Sequence, residues 1–441
     1  MLFGTFAQKN YFEYPATGTY EGVIINANMA AHAPAGLAGF LLEKTASTRY
    51  IIDPLTHAFQ HDPEVVTNDN GEPKSSVMSL AQAYGEPVVS CVGCKPLLPD
   101  HLQDQRMLEG FVERCLAFQC EQLTKYMKES DAAKYLESDE VEVHPYAVIA
   151  PYFYLTENTI TDWFRINVKA AEHAVKIYKG KASKVFASVV ISQGLLVNTE
   201  RQNEIANAFK DIELDGFLLW VDNFDELAAS CVELRALLDF GHKLRGEQKK
   251  ELINLHGSYF SILGAGILGK EAFSGVTHAP EFGEFRGVVP VGGGIPIARY
   301  YIPELHARIR YRDALRMFRA KKWLDSADTF IENICNCTEC KNTLSQNPNN
   351  FVLFGESNIK NINRRGGIVR IDFPTTAAKE RCLKHYLQRK KREFDAASNS
   401  NSETLLQNLL AGYEKYKDVA GLDGVDHLRS WYNVFNEFNV R

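Results

Sequence analysis

The chain has 441 residues, 45% hydrophobic and 24% charged, which is ordinary for a soluble globular protein and long enough for one large barrel with an appendage or for two to three smaller domains. Its formal charge of −6 excludes a global attraction to nucleic acid, so polyanion binding must come from local basic patches. No apolar run approaches the roughly 18 residues of a membrane span. Met1-Leu2-Phe3-Gly4-Thr5 has no signal-peptide pattern, and the nine cysteines form no disulfide-like framework, so a cytoplasmic location is expected.

Residues 1–20 read as an irregular, aromatic-rich entry. Gly22 to Asn26 reads as a buried strand, and Ala30 to Leu42 as a helix or loop-helix. Arg49 to Asp53 is the next strand, ending on an acid before Pro54. Residues 62–80 look loop-like. Met107 to Tyr135 has helical spacing, with Leu108, Phe111, Val112, Cys115, Leu116 and Phe118 in one stripe. From residue 145 the rhythm is regular. Strands at 146–151, 185–191, 216–221 and 252–256, with another at 258–263, alternate with helices at 166–178, 201–209 and 226–242. Continuous apolar strands between amphipathic helices mean parallel strands buried on both faces. Seven or eight such units predict an α/β fold, a TIM (β/α)8 barrel, with function at the C-terminal strand ends. Asp53, Pro151 to Tyr154, Ser192-Gln193-Gly194, Asp222, His256-Gly257 and His278 fall there.

Beyond Arg299 the pattern breaks into basic helical sequence and a cysteine knuckle. Gly367 to Asp372 reads as an edge strand, and Thr376 to Phe394 as a helix carrying the run Arg389-Lys390-Lys391-Arg392. Residues 396–401 read as a linker, and Ser400 with Glu403 as a capping box for the last leucine-rich helix. The expected organisation is a barrel over 1–325, a zinc-binding subdomain over 326–395, and C-terminal helices over 396–441 packing on the barrel.

Cys335-Asn-Cys337-Thr-Glu-Cys340 places three sulfur donors within reach of one point, and a fourth donor from downstream completes a tetrahedron. Cys382 and His385 lie three apart and share a helix face, so either can close the site, with His385 preferred. Asp53 can act as general acid or base, or can form an Asx turn before Pro54. The Gln193 amide can read the edge of a planar base or cap backbone. Gly264-Ala-Gly266-Ile-Leu-Gly269 fails as a dinucleotide fingerprint, because no acidic residue closes a following strand. Cys91 and Cys94 read as loop thiols, and the basic stretch 384–392 as either a phosphate contact or a solvated face.

Over roughly residues 20–395 these features resemble the tRNA-guanine transglycosylase family. That family is a TIM barrel with a late zinc subdomain. It exchanges guanine for a 7-deazaguanine in RNA, and related proteins act on DNA or sit in antiphage defence operons. The resemblance implies a Zn2+ ion on Cys335, Cys337, Cys340 and His385. Asp53-Pro-Leu-Thr-His-Ala-Phe59-Gln60 is similar to the family's Asp-Ser-Gly-Gly-Phe-Gln, which implies Asp53 as acid/base and Phe59 and Gln60 at the base. Ser192-Gln193-Gly194 is similar to its base-reading Gln-Gly, and Leu263 to Gly266 to its glycine-containing strand end, implying Gln193, Gly194, Gly264 and Gly266 as base contacts.

Three departures stand out. The family's nucleophile segment reads Gly275-Val-Thr-His-Ala-Pro280-Glu281-Phe282 here, leaving Glu281 as the nearest carboxylate with His278 beside it. The base-selecting aspartate is replaced by Pro151-Tyr152-Phe153-Tyr154, so Tyr152 and Phe153 take the lining role. The spacing from Cys340 to His385 is long, which implies an insertion. Two functions follow: base exchange at a nucleoside through a carboxylate nucleophile, or recognition of a deazaguanine without exchange in an antiphage defence pathway. The expected partners are guanine or 7-deazaguanine, tRNA or DNA, a protein of the defence operon, and a second copy through the zinc region, with no membrane.

Overall fold

The computed structural model describes residues 2–4, 20–44, 49–129, 144–181, 183–268, 272–278, 284–289, 297–345, 347–364, 367–419 and 424–439. The chain forms two compact units. The first comprises Met1–Asp225, Val232–Gly257 and Leu268–Pro290; the second comprises Glu226–Cys231, Ser258–Ile267 and Val291–Arg441.

The first unit is an α/β structure built on a curled, all-parallel sheet of eight strands in sequential order. They are β1 (Leu2–Gly4), β2 (Gly22–Asn26), β3 (Arg49–Asp53), β4 (Ala147–Ile149), β5 (Lys184–Ile191), β6 (Gly216–Val221), β7 (Glu251–Asn254) and β8 (Gly275–Val276). Side chains alternate between the faces of a strand. Ile24, Ile51, Ala147, Ile149, Phe186, Val190, Leu218, Trp220 and Ile253 form one core layer. Val23, Ile25, Tyr50, Ile52, Val148, Val189 and Leu219, of opposite parity, are equally buried. Burial on both faces is why these strands read as continuous apolar runs. Helices Gln105–Glu129, Ile160–Tyr178, Thr199–Lys210 and Cys231–Arg245 lie between successive strands. Among the described residues β1 pairs only with β2 and β8 only with β7.

In the second unit β9 (Arg299–Ile302) and β10 (Ala307–Arg310) form one hairpin, and β11 (Ser357–Arg364) and β12 (Gly367–Pro374) another. The long helix Thr376–Asn399 carries His385. It runs through most of the expected linker, and the next helix is capped by Asn401, whose side chain accepts from Thr404 N at 2.8 Å, not by Ser400. The expected strand at 258–263 is a helix, Tyr259–Ile267. Its first turn is held by the Glu226 carboxylate, which accepts from Ser258 N at 2.9 Å and Ser261 N at 3.2 Å. An anion at a helix N-terminus satisfies amides that have no partner within the helix. The last part of the expected loop 62–80 is also helical, within the helix Ser75–Tyr84. No described helix is long and apolar enough to cross a membrane.

Candidate metal centre and strand-end site

The four metal-ligand candidates come together in the second unit. Cys335, Cys337, Cys340 and His385 are all buried, and their donor atoms lie within 4.8 Å of one another. His385 Nδ1 is 3.6, 3.3 and 3.3 Å from the three sulfurs in chain order. A tetrahedron with metal–sulfur bonds of about 2.3 Å and a metal–nitrogen bond of about 2.05 Å has sulfur–nitrogen edges of about 3.6 Å. The donors therefore already sit at nearly the separation an ion requires.

Local chemistry explains the placement. Cys337 is the N-cap of the helix Thr338–Leu344, with its sulfur accepting from Cys340 N at 3.4 Å, and Cys335 Sγ accepts from Cys337 N at 3.4 Å. His385 Nε2 donates to the Tyr301 carbonyl at 2.7 Å, which turns Nδ1 toward the sulfurs. The Tyr300 ring stacks on the imidazole at 4.3 Å, and its hydroxyl lies 3.1 Å from Cys340 Sγ. Hydrogen bonds from Cys337 and Cys340 hold the Cys335 thiol far below the usual thiol range. Burial pulls the His385 imidazole down, but the charges and hydrogen bonds of Cys335 and Cys337 together outweigh it and the net shift is up to about 10. The open alternative is resolved: Cys382 Sγ bonds the Phe354 carbonyl at 3.2 Å and stands outside the cluster. The quartet can hold a metal ion.

A second site lies in the first unit, at the C-terminal ends of its strands. Asp53 ends β3 and is fully buried. Its Oδ1 accepts from Tyr152 OH at 2.7 Å and Leu55 N at 3.1 Å. Its Oδ2 is buried with no hydrogen-bond partner, as are Asn26 Oδ1 and His57 Nδ1. Asn26 is the register partner of Asp53 on β2, so the two share one face. Burial pushes the Asp53 carboxyl up, against the hydrogen bond from Tyr152 and the charge of Arg286. The His57 ring stacks on Tyr152 at 5.2 Å and meets Trp220 edge-on at 5.4 Å; burial lowers His57 to about 3, so it is neutral. His256 is likewise lowered to about 3 by burial and meets Trp220 at 5.0 Å. Leu55 and His256 adopt φ of 53° and 62°, a left-handed backbone uncommon for bulky residues and concentrated at functional sites.

The other sequence-predicted residues are placed as follows. Gln60 pairs with the backbone of Tyr154, accepting at 2.6 Å and donating at 3.0 Å. Gln193 Nε2 donates to the carbonyls of Asp222 and Asn223, both at 3.0 Å. Phe59 packs edge-on to Tyr84, and Phe153 stacks on Trp163 at 4.0 Å. Gly194 lies against Glu157. His278 is buried with Nδ1 2.9 Å from the Gly257 carbonyl. Gly264 and Gly266 sit on the Tyr259–Ile267 helix of the second unit, where Gly266 touches Ala397. Glu281 lies outside the described residues.

Trp220, Asn26, His57 and Arg286 were not singled out from sequence. Strand parity with Asp53 signals Asn26. Nothing local signals Arg286, whose side chain is drawn to Asp53 and lies over the Trp220 ring at 6.0 Å. Its carbonyl accepts from Trp220 Nε1 and Asn223 N, each at 3.1 Å, and Val288 N donates to Asp222 at 2.7 Å. Segment 284–289 is thereby pinned to the end of β6. No protein-family model matches the chain, and no curated protein matches it.

Proposed function

We propose that the strand-end site binds a guanine-type base, and that the protein is a divergent tRNA-guanine transglycosylase-like protein with a structural zinc ion in its second unit. The observation that carries this reading is the buried, unpartnered Oδ2 of Asp53 on a face shared with His57, Tyr152 and Trp220. A guanine or 7-deazaguanine ring presents both N–H donors and ring-nitrogen acceptors, which suit a carboxyl group in its ionised and its protonated form respectively, and flat faces, which suit aromatic rings. The metal is assigned as zinc because three thiolates and an imidazole in a closed, buried set leave no open coordination position, the pattern of a structural zinc. The sequential parallel order of the sheet supports closure of β8 onto β1 as a TIM barrel.

In base exchange, Glu281 attacks C1′ and the C–N bond breaks. The departing base takes a proton at its ring nitrogen from Asp53, whose burial favours the protonated form. The incoming 7-deazaguanine returns a proton to Asp53 and forms the new C–N bond as the carboxylate leaves. Recognition without exchange is the second reading. It is favoured by Arg286, whose guanidinium interacts with the same Asp53 carboxylate a base would use.

Calorimetry with guanine and a 7-deazaguanine tests the site. Wild-type protein binds one of them, and Asp53→Asn weakens binding by about 10- to 100-fold, the value of a hydrogen bond to a charged group. Absence of heat with the wild type rules the reading out. Incorporation of labelled base into tRNA or DNA, abolished in Glu281→Gln, separates exchange from recognition.

A further inference from the structure

The long spacing between Cys340 and His385 is filled by the β11–β12 hairpin, two eight-residue strands in antiparallel register. A strand of that length extends about 26 Å. Parity separates its faces. On one, Phe373 is covered by Lys360 and Lys379, whose nitrogens lie 4.2 and 4.5 Å from the ring centre. On the other, Ile359 and Ile368 are 55% and 71% exposed, and Asn361 stands directly opposite Arg370, both exposed. Arg312 pairs with Asp372 on this second face. That bond brings the hairpin beside the exposed arginines of the helix Tyr311–Ala320, which include Arg316 and Arg319. The surroundings are basic: residues 299–395 hold 20 Lys and Arg against 11 Asp and Glu, in a chain whose net charge is −6.

We infer that this hairpin and the adjoining arginine face are a docking surface for double-stranded DNA. A two-stranded ribbon fits the B-form major groove, about 12 Å wide, where Arg reads guanine, Asn reads adenine and an apolar side chain meets the thymine methyl. Arg319, and Arg316 by exchanging its ion pair with Asp313 at 2.7 Å for a phosphate, suit the flanking backbone. On the ribbon's second face and its flanking helix, Arg312, Arg316, Arg319 and Arg370 outnumber Asp313 and Asp372, and Lys360 and Lys379 stand on the first face, an excess that favours a polyanion over an apolar protein partner. Ribbon geometry selects DNA over duplex RNA, whose deep, narrow major groove excludes side chains. The inference is independent of base binding at the strand ends, because it is read without any free base.

The test is fluorescence anisotropy of the full-length protein with a labelled duplex DNA of about 30 base pairs and a duplex RNA of the same sequence, across a salt series. The DNA binds at least about tenfold more tightly than the RNA. Arg316→Ala with Arg319→Ala reduces the slope of log affinity against log salt by about 2. Asn361→Ala with Arg370→Ala weakens the best DNA sequence by about tenfold or more and flattens sequence preference. Unchanged melting temperature and metal content show that these variants fold. Equal affinity for RNA, no binding of DNA, or a hairpin variant that binds DNA like the wild type each overturns the proposal. So does a hairpin variant that loses self-association in sedimentation while keeping DNA binding, which makes the surface a contact between copies.

Discussion

Replacing His385 by alanine, with and without a chelator, separates what the imidazole contributes as a ligand from what it contributes as a packed side chain. The packed part is readable from its contacts. His385 is fully buried, donates Nε2–H to the Tyr301 carbonyl at 2.7 Å, and stacks on Tyr300 at 4.3 Å. A hydrogen bond of about 1 kcal/mol and an aromatic pair of about 1 kcal/mol make that part about 2 kcal/mol. The metal part is larger. A structural zinc ion supplies about 10–16 kcal/mol of apparent binding free energy at neutral pH, comparable to the whole stability of a domain at about 5–15 kcal/mol. Removing one of four ligands also leaves buried thiolates with a weakened counter-charge.

The expected pattern follows. Purified wild type carries one metal ion per chain by elemental analysis. Chelation lowers its melting temperature by more than about 10 °C, taking roughly 2–4 °C per kcal/mol for a unit of this size. In metal-replete buffer His385→Ala falls by a similar amount. In chelator the variant and wild type differ by only about 2 kcal/mol. Cys382→Ser, at a side chain that bonds the Phe354 carbonyl and lies outside the ligand cluster, keeps its metal. A metal-free wild type, a chelator-insensitive melt, or a Cys382→Ser variant that loses metal while His385→Ala retains it would refute the reasoning.

Glu393 predicts a pH dependence. Burial pushes its carboxyl up, but Lys390 Nζ at 3.0 Å and His306 Nδ1 at 2.7 Å outweigh burial and bring it to about 2. A depressed carboxyl stabilises the folded state fully above its unfolded value near 4.5 and loses that contribution as pH falls toward 2, on the order of 3 kcal/mol in all; urea melts from pH 6 to 3 should show the loss, and Glu393→Gln should flatten it. Gly266→Ala places a methyl carbon 2.6 Å from the Ala397 carbonyl oxygen, so two packed helices must separate, at about 1–3 kcal/mol of stability in a denaturant melt. An unchanged midpoint there would show that the helix contact gives way freely.

The strands of the first unit were legible because burial on both faces removes polar residues from them, as in Phe217-Leu218-Leu219-Trp220-Val221. The cysteine ligands were legible because their spacing is itself the geometry. The fourth ligand was legible only as a preference for His385, since Cys382 shares its helix face; the Tyr301 carbonyl, eighty-four residues away, orients the imidazole. The helix Tyr259–Ile267 was misread as a strand for a related reason. Its sequence is apolar throughout, and its N-terminal signal, Glu226, stands over thirty residues earlier. Gln60 and Gln193 illustrate the same limit at the site. An amide at a strand end looks free in sequence, yet both bond backbone of other strand ends.

What distinguishes Asp53 from those glutamines is an unspent oxygen. Each buried polar group without a partner costs about 1–3 kcal/mol, more when charged. Asp53 Oδ2, Asn26 Oδ1 and His57 Nδ1 lie near one strand end, whereas the buried Glu226 carboxylate is bonded by two serines and Glu393 Oε2 is ion-paired with Lys390 at 3.0 Å. Three such atoms offset a substantial part of a typical domain's stability. A fold that needed only to be stable would place apolar side chains there, as it does at Ile24 and Ile51 one step back along the same face. Retaining donors and acceptors inside an aromatic enclosure is consistent with a ligand that completes them. On the proposed reading Arg286 has the chemistry such a ligand would need: a flat group with N–H donors that lies over Trp220 and is attracted by the Asp53 carboxylate. Guanine-type bases have the same donor arrangement on one edge. The unpartnered oxygen and the rings around it are what the proposed base recognition requires, with or without exchange.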